Sequence, residues 1–213
     1  MQIPEKIAQE IIEVGSRLYT RALLAGTDGN ISVRLNESQI LITASGVCKG
    51  RMKPNDLTLV DYSGRKLDGE RAPSSEMAVH LLAMNERPDI HACVHAHPPY
   101  ATSFAVSGGH LPDDVLPEVV VFVGSIAHVP YAPPGTKAVP DAVAPFIKTH
   151  NAFLLRNHGV VTIGRTLEEA YNRLETVEHF AKILHLATQL GAVDRIPNAD
   201  FERLKEMHRK LMA

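Results

Sequence analysis

The chain has 213 residues, of which 45% are hydrophobic and 22% charged, and its formal net charge is -2. This composition is typical of a globular protein, and the length allows one large domain or two small ones. Lysine and arginine form no run, which argues against nucleic-acid binding. Two cysteines are too few for a disulfide scaffold, so we expect a reducing, cytoplasmic location. No apolar run of about 18 residues and no signal-peptide core is present, so we expect no membrane partner.

The apolar spacing in the first half of the chain predicts helices and short strands in alternation. A first helix is predicted over residues 4–25, and Gly26 ends it. Strands are predicted over 31–35, 39–43 and 57–62. The segment Pro73-Ser74-Ser75-Glu76 is predicted to open a helix that runs to about Asn85.

The second half of the chain continues the alternation. Val94–His97 is predicted as the end of a short buried strand, because Pro98 cannot donate to a strand ladder. The run Val119–Val123 is β-branched and apolar, and we expect it to be fully buried. The other predicted elements are helices over 99–106, 138–149, 166–190 and 199–211 and strands over 152–155 and 160–163.

Strands and helices are mixed along the whole chain, without a linker or an internal repeat. We therefore predict one α/β domain over residues 1–213, with helices on both faces of a central sheet. Tight turns join several of the strand pairs, which predicts a mixed, largely antiparallel sheet. No GxGxxG follows a strand, which argues against a dinucleotide-binding Rossmann fold.

Three histidines are candidate metal ligands. His95 and His97 point to the same face, because side chains on a strand alternate with a period of two. The alternative is a pair of packed, hydrogen-bonded core residues. His158, between two predicted strands, is expected to point into a cleft, and three imidazoles with one open position are typical of catalytic zinc. Surface or packing roles are expected for His80, His91, His179, His185 and His208.

Glu76 is the candidate acid/base. A carboxylate beside a divalent ion can bind the ion at rest and move a proton once substrate displaces it. The alternative is a first-turn glutamate that the helix dipole favours. Three loops of small polar residues predict a phosphate site, although turns and helix caps use the same residue types. The candidate phosphate-binding residues are Thr27, Gly29, Asn30, Ser45, Gly46, Ser74 and Ser75.

Five motifs, in order and at approximately the right spacing, resemble the zinc-dependent class II aldolase/adducin family. The resemblance covers essentially the whole chain, and within the family it is greatest to the L-fuculose-1-phosphate aldolases. The motifs are Gly26-Thr27-x-Gly29-Asn30-x-Ser32-x-Arg34, Ser45-Gly46, Ser74-Ser75-Glu76, His95-x-His97-Pro98 and Asn157-His158-Gly159.

The resemblance implies a three-layer αβα sandwich that forms a fourfold homotetramer, with active sites at subunit interfaces. It implies one zinc ion on His95, His97 and His158, with Glu76 as both resting ligand and acid/base, and phosphate binding at the seven small-residue positions. The implied reaction cleaves a ketose 1-phosphate, such as L-fuculose 1-phosphate, to dihydroxyacetone phosphate and an aldehyde through a metal-stabilised enediolate.

Other functions on the same scaffold remain as alternatives. They are a 5-deoxy- or methylthio-ribulose-1-phosphate aldolase or dehydratase, an oxo-tetronate-phosphate decarboxylase, a pentulose-phosphate 4-epimerase and a non-enzymatic adducin-like module. The epimerases carry aspartate at the position of Glu76, and the module is expected to lack the ligand histidines. The fuculose-type enzymes use tyrosines near Leu116–Val119 and in the C-terminal tail, and this chain has none in either segment.

Overall fold

The computed structural model describes residues 3–212, and it is built around one eight-stranded sheet. The strands lie in the order β4-β3-β2-β1-β5-β8-β7-β6. All neighbours are antiparallel except β6 and β7, which are parallel. The strands are β1 (Asn30–Asn36), β2 (Gln39–Thr43), β3 (Leu57–Val60), β4 (Lys66–Asp68), β5 (Ala92–Ala96), β6 (Ile126–Val129), β7 (Ala152–Leu155) and β8 (Gly159–Gly164).

Helices cover both faces of this sheet. The helices are α1 (Glu5–Thr20), α2 (Met77–Glu86), α3 (Pro99–Ser107), α4 (Ala138–Val143), α5 (Leu167–Leu190) and α6 (Asn198–Met212). On β5, Val94 belongs to the apolar cluster that contains the buried residues of α1, α3 and α5, whereas Cys93 belongs to that of α2 and α4. The prediction of a mixed, largely antiparallel sheet between two helical layers is confirmed.

Two helices end earlier than the apolar spacing predicts. Helix α1 ends at Thr20, because Ala22 adopts a left-handed conformation with φ of 55° and turns the chain. Leu23 and Leu24 are still buried, but from a loop. Helix α4 ends at Val143 and not at 149. Apolar residues at helical spacing can therefore lie beyond the end of a helix, in a loop that packs into the same core.

The prediction that the run Val119–Val123 is fully buried is wrong at one residue. It forms one π-helical turn, in which the side chain of Phe122 is 56% exposed and the four valines are buried. Helix α6 packs against this turn, and Nδ1 of His208 donates to the carbonyl oxygen of Val121 at 2.8 Å. Two short strands, β4 and β6, were not predicted. Over residues 3–212, no helix has both the length and the apolar character needed to cross a membrane.

Candidate metal centre and substrate site

Three histidines meet where β5 ends and β8 begins, in the middle of the sheet. His95 lies on β5, His97 follows one residue after the strand ends at Ala96, and His158 precedes the first residue of β8. Because β5 and β8 are antiparallel neighbours, the end of β5 lies beside the start of β8. One ligand atom of each ring lies within 4.8 Å of the other two. The structure therefore brings His158 to the pair, which sequence spacing could not establish.

Two glycines allow the backbone to approach these rings closely. A Cβ atom on Gly159 would lie 2.5 Å from Cδ2 of His97. At Gly29, φ is 72°, and a Cβ atom would lie 2.5 Å from the carbonyl oxygen of His95. A side chain at either position would displace a histidine of the cluster.

The ring nitrogens that face the cluster carry lone pairs. Nδ1 of His95 lies 2.9 Å from the carbonyl oxygen of Val160, and Nδ1 of His97 lies 3.3 Å from Oδ2 of Asp28. Both partners are acceptors, so each Nδ1 donates a proton, and in a neutral ring the lone pair is then on Nε2. These two Nε2 atoms are 3.1 Å apart. Two lone pairs therefore face the same small volume.

This donor set fits a divalent metal ion held by His95, His97 and His158. Nitrogens bound at 2.0–2.1 Å to a tetrahedral zinc ion lie about 3.3 Å from one another. Burial, followed by the charges that His95 and His158 would carry, lowers the pKa of His97 to about 4, which favours the neutral ring that a metal needs. Carbonyl and carboxylate partners on the far nitrogen are typical of metal-bound histidines.

Glu76 lies against this cluster and is the residue before α2 begins. The helix was predicted to open at Pro73, but residues 73–76 are loop and turn. Its Oε1 is 2.9 Å from Nε2 of His158, and its Oε2 is 3.4 Å from Nε2 of His95. Burial alone would raise the pKa of Glu76, but the contacts with His158 and His95, when these rings are protonated, outweigh it and hold the pKa well below its ordinary value. The carboxylate is therefore ionised at neutral pH.

The three loops predicted to bind phosphate adjoin one another. Residues 44 and 73 form an isolated β-bridge, which joins the second loop to the third. Nζ of Lys49 donates to the carbonyl oxygens of Thr27 at 2.7 Å and Val47 at 2.8 Å, which joins the first loop to the second. The contacts that connect the loops are thus made by the backbone and by one buried lysine.

The seven candidate phosphate-binding residues differ in their exposure to solvent. Gly29, Asn30 and Ser74 are buried, whereas Thr27, Ser45, Gly46 and Ser75 are exposed. Oγ of Ser74 accepts from the N–H of Glu76 at 3.3 Å. The amide of Asn30 has partners at both ends: Nδ2 donates to Oε2 of Glu76 at 3.0 Å, and Oδ1 contacts Nε2 of His80. Asn30 therefore holds Glu76, a contact that the phosphate prediction did not include.

Lys49 is a site residue that the sequence patterns did not indicate. None of the seven small residues carries a positive charge, whereas the Lys49 side chain lies beneath two of their loops and is 2% exposed. Burial lowers the pKa of Lys49 to about 8, so its ammonium group is mostly charged at neutral pH. An anion bound at these loops would find a compensating charge. A lone lysine in a loop gives no signal of this in the sequence.

The sequence patterns also did not indicate Asp28 and His80 as residues of the site. Asp28 reads as a turn residue, and its contact with His97 spans 69 residues of sequence. His80, expected to have only a surface or packing role, is 1% exposed and hydrogen-bonded at both ring nitrogens. Burial lowers the pKa of His80 to about 3, so the ring is neutral. The four-residue spacing from Glu76 to His80 was the available signal, because it places both on one helix face.

Removing one ring of the cluster is expected to remove the metal. The purified protein should contain about one divalent ion per chain, and His158→Ala should lose most of it because two imidazoles hold an ion far less tightly than three. Elemental analysis after gel filtration measures this. The control is His185→Ala, whose exposed ring contacts Tyr100 and Gln189 on α3 and α5. Full metal content in His158→Ala would contradict the ligand assignment.

Lys49 is expected to make stability depend on alkaline pH. The ordinary pKa is 10.5 and the folded value about 8, so between these pH values the unfolded chain binds a proton that the folded protein has lost. The free energy of unfolding of wild type, relative to Lys49→Met, should therefore rise from pH 8 to pH 10, by up to about 1.4 kcal/mol per pH unit. Urea unfolding at several pH values measures this, with the exposed Lys148→Met as control. Parallel pH curves for wild type and Lys49→Met would contradict it.

Comparisons with known proteins show the family to which the chain belongs. The family model for the class II aldolase and adducin N-terminal domain matches residues 9–185. The chain is 33% identical over 202 residues to a 5-deoxy-D-ribulose 1-phosphate aldolase of Bacillus thuringiensis serovar kurstaki, covering 94% of each chain. It is 32% identical over 189 residues to a 3-oxo-tetronate 4-phosphate decarboxylase of Escherichia coli K12, covering 87% of this chain and 89% of the relative.

A solved L-fuculose 1-phosphate aldolase superposes with a TM-score of 0.90 at 34% identity, over 97% of this chain and 98% of that one. The chain therefore belongs to the class II aldolase family of lyases.

Proposed function

We propose that this protein is a zinc-dependent aldolase that cleaves a ketose 1-phosphate, such as L-fuculose 1-phosphate, to dihydroxyacetone phosphate and an aldehyde. The observation that carries the proposal is the contact of the Glu76 carboxylate with Nε2 of both His95 and His158. An acid/base thus adjoins three imidazoles that can share an ion. A divalent ion bound there supplies Lewis-acid polarisation of the ketose oxygens, so no Schiff-base lysine is needed.

In this proposal Glu76 moves the proton at the reacting carbon. In the condensation direction, it accepts a proton from the carbon of dihydroxyacetone phosphate that forms the new bond. In the cleavage direction, the bond between C3 and C4 breaks, its electron pair stays with C3, and the C4 hydroxyl gives its proton to water. Glu76 takes up a proton from water and delivers it to C3. The ionised resting state of Glu76 supports the role of base in condensation.

The phosphate group is proposed to bind at the three adjoining loops. Their exposed hydroxyl groups and backbone N–H groups are suitable donors, and the buried ammonium group of Lys49 offsets the negative charge. The group is remote from the reacting bond. Its binding energy would therefore serve to orient C3 and C4 at the metal and Glu76.

A decarboxylase that acts on a phosphorylated 3-oxo acid is the second candidate. The relative with that name is 32% identical to this chain, hardly less than the 33% of the aldolase. Loss of carbon dioxide from a 3-oxo acid also leaves an electron pair on carbon beside a carbonyl group, so the same residues would serve. The two candidates differ in the group that leaves and not in the metal or the acid/base.

A panel of phosphorylated substrates separates these two candidates. With L-fuculose 1-phosphate and 5-deoxyribulose 1-phosphate, we expect release of dihydroxyacetone phosphate, measured by its coupled reduction. With 3-oxo-tetronate 4-phosphate, we expect little release of carbon dioxide. Carbon dioxide as the main product would favour the decarboxylase, and no turnover of any member with metal-loaded protein would contradict both candidates.

Glu76→Gln is expected to slow turnover by about 10²-fold or more, because the amide cannot accept the proton at the reacting carbon. The fold should persist, since an amide of the same size can still contact His158. Steady-state kinetics on the substrate found in the panel measures the effect, and circular dichroism controls for folding. Unchanged turnover would remove Glu76 as the acid/base.

Three further predictions from the sequence belong to this proposal. They are a single domain over residues 1–213, a fourfold homotetramer whose active sites lie at subunit interfaces, and a cytoplasmic location. Their support is the family resemblance, to which the single eight-stranded sheet adds support for one domain.

A further inference from the structure

A buried row of polar side chains leads from the interior of the protein to Glu76. Oγ of Ser32 lies 2.6 Å from Nδ1 of His80, Nε2 of His80 contacts Oδ1 of Asn30, and Nδ2 of Asn30 lies 3.0 Å from Oε2 of Glu76. Ser32, His80 and Asn30 are 0%, 1% and 2% exposed. The contacts of His80 with Ser32 and Asn30 are therefore shielded from water, which makes an unmatched donor or acceptor there costly.

Two adjacent elements supply the row in pairs. On β1, Ile31 and Val33 belong to the apolar cluster under α1, α3 and α5, so Asn30 and Ser32 face the opposite layer. Glu76, the residue before α2, and His80, in the first turn of α2, both contact the Asn30 amide. The strand and the helix thus interleave their side chains in the order Ser32, His80, Asn30, Glu76.

The Asn30 amide fixes the direction of every hydrogen bond in this row. Nδ2 of Asn30 is the atom beside Oε2 of Glu76 and donates to it, so the amide oxygen is the atom that faces His80. Nε2 of His80 must then carry a proton to donate to that oxygen. Since the buried ring is neutral, Nδ1 of His80 has the lone pair and accepts the hydroxyl proton of Ser32.

We propose that His80 is a positioning residue, which fixes the orientation of the Asn30 amide and thereby holds the Glu76 carboxylate between His95 and His158. The effect of His80 on turnover rests on the proposed function of Glu76. The direction of the hydrogen bonds and their effect on metal binding do not require that any particular substrate be correct. The hydrogen bond from His80 holds the amide oxygen of Asn30 away from Glu76. Without that donor, an amide that turns over places its oxygen against the carboxylate of Glu76, and the two groups repel each other.

The direction is tested by ¹⁵N NMR of histidine-labelled protein. The signals of His80 are identified by their absence in His80→Gln. We expect a proton on Nε2 and none on Nδ1 between pH 6 and pH 8. A ring with its proton on Nδ1, or with protons on both nitrogens, would overturn the proposed direction.

The positioning role is tested by zinc affinity, measured by competition with a chelator. His80→Met fills the space but donates no hydrogen bond, and it should weaken zinc binding about 10- to 100-fold, as loss of an outer partner of a metal ligand does. His80→Gln, whose amide reaches the position of Nε2 and donates, should recover most of this loss. Where a substrate is known, kcat should fall in His80→Met with little change in KM.

Two comparisons separate positioning from a general loss of stability. Thr162→Val removes another buried hydroxyl, which donates to the carbonyl oxygen of Ala170 at 2.7 Å and has no path to Glu76, so zinc affinity should not change. In a Glu76→Gln background, His80→Met should cause little further loss of zinc affinity, because its effect passes through the carboxylate. Equal losses from Thr162→Val and His80→Met, or equal effects of His80→Met in both backgrounds, would overturn the proposal.

Discussion

Nε2 of His95 and Nε2 of His97 lie 3.1 Å apart, and the candidate site is arranged around this contact. Both rings donate from Nδ1 to acceptors on their far side, so a neutral ring at either position has its lone pair on Nε2. Lone pairs at this distance repel one another unless a positive charge lies near both. The arrangement therefore favours a cation, and the ionised carboxylate of Glu76 next to it increases that preference.

Rigid elements of the fold maintain this contact. Strand β5 lies between β1 and β8 in the middle of the sheet, so the backbone at His95 is bonded on both sides. Helix α3 begins two residues after His97, and its first N–H groups, at Tyr100 and Ala101, donate to the buried carboxylate of Glu178. A carboxylate at a helix N-terminus stabilises that end of the helix. The rings are thus held by the sheet on one side and by a capped helix on the other, as a precise site requires.

The Asn30 amide extends the order of the site into the protein interior. Its NH₂ group donates to Glu76 and its oxygen faces Nε2 of His80, so a neutral His80 ring carries its proton on Nε2. Asn30 is for this reason better described as a support of the acid/base than as a phosphate donor through its side chain. The exposed residues of the three loops, with Lys49 beneath them, remain suited to an anion.

The sequence alone determined the features that repeat along the chain: the alternation of helices and strands, the common face of His95 and His97, and the family motifs that include Glu76 and His158. These follow from local periodicity and order, which neighbouring residues fix. Helix ends at Thr20 and Val143 and the π-helical turn at Val119–Val123 were decided by packing, because loop residues can fill a core as well as helical ones do. Only the tertiary structure showed that Asp28 contacts His97, that Lys49 contacts Thr27 and that His80 contacts Asn30, because a hydrogen bond across the fold leaves no periodic trace in the sequence.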